Sequence, residues 1–125
     1  MVEITFKQVD NGLEDIFFQL EPVQSPLTVN TEFSLFVNES DSSLVKLNCN
    51  VTAFGNGEED TFLKMQIYGI YETNNTNPKL KLEEIENYRE FLESLLPLVN
   101  EVFSFVTEKG LGDRMELPEQ IPSEN

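Results

Sequence analysis

The stretch Phe62–Glu72, FLKMQIYGIYE, sets Leu63, Met65, Ile67, Gly69 and Tyr71 on one side of an extended chain. Phe62, Lys64, Gln66, Tyr68 and Ile70 fall on the other side. Both sides hold more apolar surface than a strand with one solvated face requires, so this segment predicts a sheet with something to cover on each face. The segment before it, LVKLNCNVTAF, is the cleanest period-two run. Val45, Leu47, Cys49, Val51 and Ala53 form an unbroken apolar side against Lys46, Asn48, Asn50 and Thr52. The intervening GNGEED predicts a hairpin, which makes the two strands antiparallel neighbours.

Working outward, TEFSLFV repeats the pattern with Phe33, Leu35 and Val37, and the polar run NESDSS reads as a turn. At the start of the chain, VEITFKQV alternates Val2, Ile4 and Phe6 against Glu3, Thr5 and Lys7. Asn11-Gly12 has the residues of a turn with positive φ. LEDIFFQLEPV then groups Ile16, Phe18 and Leu20 and leaves Phe17 opposite, while Pro22 and Pro26 predict a departure from the ladder or a run along its edge.

Beyond TNNTNP the period changes. Ile85, Tyr88, Leu92, Leu95, Val99, Val102 and Val106 recur at three to four residues, a helical stripe that Phe91, Leu96, Leu98, Phe103 and Phe105 widen. Lys109 suits the carboxyl end and Gly110 suits the stop. A continuous helix over 82–109 would run about 42 Å, longer than a globule of this size is wide. Pro97 therefore predicts a kink or the start of a second helix. The pattern as a whole is α+β: one domain over 1–118, with an acidic, flexible tail over 119–125.

Composition narrows the function. The 125 residues include 10 Phe and 3 Tyr and carry a formal net charge of -15. That field repels nucleic acid and anionic membranes and favours a cationic partner. No run approaches the roughly 20 apolar residues of a membrane span. MVEITFKQVD lacks the basic and apolar regions of an export signal, so a cytoplasmic location is expected. There is no histidine, which removes the usual general base and the commonest transition-metal ligand. Cys49, the single cysteine, lies on an apolar side and reads as a buried structural thiol. GNGEED has carboxylates where a phosphate loop needs room for anions and lacks the following lysine. Glu86 and Glu90 belong to a solvated helix face, and such carboxylates are poor bases at neutral pH. A non-enzymatic protein without cofactor or metal is expected.

The apolar excess is more telling. Phe17, Phe36, Phe62, Tyr68 and Ile70 sit on the more polar sides of their strands. Three readings stay open: a second copy of the chain covers them, they line an exposed apolar groove with an acidic rim, or Tyr68 and Tyr88 help hold a small ligand.

The order of features, antiparallel strands ending in FLKMQIYGIYE, then LLPLVNEVFSFVTEKG, then Leu117-Pro118, resembles the SecB export-chaperone family. The resemblance runs roughly from Asp15 to Pro118 and includes a Thr107-Glu108-Lys109-Gly110 segment like that family's helix end. It implies a four-stranded antiparallel sheet with helices packed on one face and a homo-oligomer, either a dimer or a dimer of dimers. It also implies ATP-independent holdase binding of unfolded polypeptide clients, without metal. Carried over by position, the client groove would use Tyr68, Ile70, Tyr71, Tyr88, Phe91 and Leu95. Asp15 stands where export members contact a translocase motor. The second such position falls on Lys64 or Met65, neither acidic, so this chain departs from the motor-binding pattern. Antitoxin-associated members suggest a toxin protein as another partner. The alternative is a structural or regulatory oligomer whose apolar surplus is consumed in subunit contacts.

Overall fold

The computed structural model describes residues 2–19, 28–55, 61–111 and 115. Strands β1 (Phe6–Phe18), β2 (Thr28–Val37), β3 (Leu44–Phe54) and β4 (Thr61–Thr73) form one antiparallel sheet in the order β1-β4-β3-β2. A 3-10 turn at Leu82–Glu84 leads to α1 (Tyr88–Glu93) and α2 (Leu96–Leu111), and the helices pack on one face of the sheet. Sequence expectations for Pro22, Pro26, most of GNGEED, Leu117-Pro118 and the tail over 119–125 lie outside the described residues.

The central strands behave as their alternation predicts. Val45, Leu47, Cys49, Val51 and Ala53 of β3 and Leu63, Met65, Ile67 and Tyr71 of β4 are all buried. Direct register partners such as Cys49 and Ile67, or Val45 and Tyr71, point to the same side. Ile85, Phe91, Leu95, Val99 and Phe103 close the layer from the helical side, giving one contiguous core. Desolvation in that core pushes the Cys49 thiol up to about 12.

Three details depart from the pattern. Asn11-Gly12 does not turn, because β1 runs straight through it. Bulges at Val9 and Glu14 absorb the change of phase instead, each leaving one residue of β1 without a register partner on β4. Gly12 is needed for close approach, since a Cβ there would lie 3.1 Å from the Tyr68 ring. Phe62 also leaves its expected side: the irregularity between Ala53 and Phe54 makes it the extra residue on β4, and it is buried in the core near Phe18.

Pro97 starts a new helix. It lies in the first turn of α2, where its missing amide has no intrahelical partner to lose. α2 continues through Gly110 to Leu111, so the expected stop at Gly110 is not observed. Val99 is buried, Val102 and Val106 pack part-buried against the core, and Phe105 faces solvent beneath the Lys109 ammonium.

Candidate functional site

The six residues assigned to a client groove are divided by the sheet. Neighbours along a strand face opposite ways, so Tyr68 and Ile70 lie on the far face whereas Tyr71 faces the helices. Tyr71, Phe91 and Leu95 are fully buried, and Tyr88 is part-buried against the same core. Phe91 stands edge-on to Tyr71 at 4.8 Å and to Phe6 at 5.2 Å between ring centroids. The structure therefore does not bring the six into one groove.

Tyr71 also anchors a polar network. Ser94 Oγ donates to the Phe91 carbonyl at 2.5 Å, which leaves the Tyr71 hydroxyl to donate to Ser94 Oγ across 2.7 Å. Gln8 Nε2 donates to Tyr71 at 2.9 Å, and Asn11 Nδ2 donates to Gln8 Oε1 at 2.7 Å. Burial pushes the Tyr71 phenol above its ordinary value, against the opposing pull of the Ser94 and Gln8 hydrogen bonds. This chain of contacts fixes β1, β4 and the bend between α1 and α2 relative to one another.

On the far face, Tyr68 lies under the Lys46 ammonium, 5.2 Å from the ring centroid. Lys46 pairs with Glu14, the bulged residue of β1, and Glu14 also accepts from Gln66 at 2.9 Å. Phe36 and Ile70 flank Lys46 and, with Val37, line a shallow depression of about 220 Å³. Asp15 is exposed opposite Gln66, and its carboxylate accepts from the amide of Ile16.

An edge position is one of the two outcomes expected for LEDIFFQLEPV, and what the sequence does not show is which side chains that edge leaves open along β1. Among the described residues this strand is terminal in the sheet and pairs only with β4. It exposes Val9 at 45%, Leu13 at 44%, Ile16 at 42% and Phe17 at 49%. Leu13 and Ile16 fall on the helix side, opposite Ile67 and Met65, while Phe17 falls on the far side. Two consecutive phenylalanines were a visible signal in LEDIFF, but the bulges that re-aim Leu13 and Ile16 were not.

The arrangement offers surfaces for contact along β1 and on the far face. Among the described residues there is no group of three or more His, Cys, Asp or Glu side chains placed to hold a metal. A thiol as shielded as Cys49 is not a nucleophile near neutral pH. No described helix is long and apolar enough to cross a membrane.

No protein-family model and no curated protein sequence matches this chain. Among the solved structures similar to it are the following two. The Mycobacterium tuberculosis SecB-like chaperone Rv1957, solved in complex with a ChAD peptide from the HigA1 antitoxin, has a TM-score of 0.65 at 9% identity, over 90% of this chain and 86% of that one. A Streptococcus agalactiae protein of unknown function has a TM-score of 0.56 at 12% identity, over 94% of this chain and 100% of that one. The fold is thus that of a SecB-like protein.

Proposed function

We propose that this chain is an ATP-independent, holdase-type chaperone that captures unfolded or non-native polypeptide along its β1 edge. The observation that carries the reading is that edge itself. It is a long strand with one side unpaired among the described residues and four half-exposed apolar side chains, the condition under which a strand recruits another chain. The fold similarity to a chaperone solved with a peptide supports it.

The magnitudes suit reversible capture. Full burial of a large apolar side chain stabilises by roughly 1.5–3 kcal/mol, and each of these is already half covered. Four such contacts contribute about 4 kcal/mol before the cost of association, which is too little for a tight complex on its own. Main-chain pairing along the edge adds to this without regard to sequence. Asp10, Glu14 and Asp15 punctuate the edge and favour basic segments. Tyr71, Phe91 and Leu95 support the sheet from within, and Tyr68, Ile70 and Phe36 form a separate patch on the far face.

The competing reading is a regulatory or structural oligomer in which a second copy occupies the edge of β1. Aggregation of a chemically unfolded protein, followed by turbidity, separates the two. The intact chain suppresses it and Leu13→Asp/Ile16→Asp does not, with the double variant still folded at the assay temperature. Equal suppression by both would contradict the assignment to β1. No suppression by either, together with a stable oligomer, would favour the subunit interface.

A further inference from the structure

Ser104 and Thr107 are fully buried hydroxyl residues on one side of α2. The Thr107 proton is used inside the helix, with the carbonyls of Phe103 at 3.0 Å and Ser104 at 3.1 Å as acceptors. Its oxygen still accepts, and it takes the amide N–H of Met115 at 3.0 Å. Ser104 Oγ donates to the carbonyl of the same Met115 at 2.7 Å. The two side chains therefore satisfy both main-chain groups of a single residue, as an adjoining strand would. Met115 packs its side chain against the core.

A second clasp of this kind lies at the start of the helical layer. The Asn87 amide accepts from the N–H of Ile4 at 2.9 Å and donates to its carbonyl at 2.8 Å. Ile4 is buried, and neighbouring Val2 is bridged to Glu84 and Glu86 as well. Met115 is part-buried, whereas Ile4 is buried.

We propose that Ser104 and Thr107 form a main-chain recognition site for one residue of an extended apolar polypeptide, and that Met115 fills it in the free chain until a client segment displaces it. The inference rests on the reading of this chain as a polypeptide-binding protein. Hydrogen bonds to N–H and C=O do not read the side chain, which is what a binder of varied unfolded chains requires. Proline is rejected, because it has no N–H for Thr107 to accept.

The test uses the full-length chain and a fluorescent peptide with the sequence of residues 111–119. Met115→Pro removes the internal N–H, so this variant is expected to bind the peptide about tenfold more tightly than the unaltered chain, the worth of one hydrogen bond. The gain should disappear when Thr107→Val is added, and also when the peptide carries proline in place of its methionine. If Met115→Pro lowers the melting temperature, Met115→Ala replaces it, keeping the amide and removing only the apolar anchor, with a gain of about threefold expected. Equal peptide binding with and without the released anchor, or a gain that survives Thr107→Val, overturns the site. A chemically unfolded client gives the second arm. Capture by the unaltered chain without any gain on release contradicts this site while leaving the chaperone reading intact. Peptide binding without client capture by any variant supports the site and contradicts the chaperone reading.

Discussion

β4 and β1 lie side by side and carry similar apolar content, yet they spend it differently. β4 is flanked on both edges, and its residues facing the helices, Leu63, Met65, Ile67 and Tyr71, are buried without a gap. Among the described residues β1 has one partner, two bulges and four half-exposed hydrophobic side chains. A strand whose apolar residues only served its own core would not leave Leu13 and Ile16 open beside the covered Ile67 and Met65. Bulges and carboxylates are common protections against indiscriminate edge pairing, and β1 has both at Val9, Asp10, Glu14 and Asp15. The edge thus combines exposed apolar side chains with the devices that limit indiscriminate pairing.

The comparison can be broken most severely at its buried side. Phe91→Ala removes a ring packed against Tyr71 and Phe6 and should cost about 3–5 kcal/mol, measured by denaturant unfolding. Gly69→Ala comes next: its Cβ would lie 2.8 Å from the Tyr71 ring, and the forced shift should cost about 1–3 kcal/mol in the same measurement. Alkaline pH probes the same layer without a substitution. The Cys49 thiol is held protonated in the fold, from an ordinary 9.0 up to about 12, so its contribution is complete below pH 9 and is lost as the unfolded thiol ionises above it. Unfolding midpoints should fall from about pH 9 upward, and Cys49→Ala should flatten the first part of that decline. The smallest effect on stability belongs to the edge of β1. Leu13→Asp/Ile16→Asp should cost about 1 kcal/mol per site, for the half of each side chain that is already covered, while removing client capture.

Much of the fold was legible because its periods are uninterrupted. LVKLNCNVTAF keeps one phase from end to end, and Pro97 marks where the helical layer divides. The four-stranded antiparallel sheet and its helical cover agree with the resemblance to SecB. Legibility failed where a single extra residue changes phase. Phe62 is assigned to the wrong side by alternation, and Asn11-Gly12 resembles a turn although Gly12 serves to admit the Tyr68 ring. The candidate site suffered from the same cause. Tyr68, Ile70 and Tyr71 are close in sequence but cannot share a surface, whereas Leu13, Ile16 and Phe17 become significant only once β1 is known to be an edge. Ser104 and Thr107 gave no signal at all, since a helical serine or threonine looks the same whether it bonds its own helix or clasps another segment.

The most direct measurement is the light-scattering mass of the purified chain with and without an excess of a chemically unfolded, slowly refolding protein, alongside Leu13→Asp/Ile16→Asp. The account predicts that the unaltered chain gains client mass and releases it as the client folds, and that the double variant remains folded without gaining mass. Unchanged mass for the unaltered chain, or an equal gain by the double variant, would contradict the claim that β1 holds non-native polypeptide.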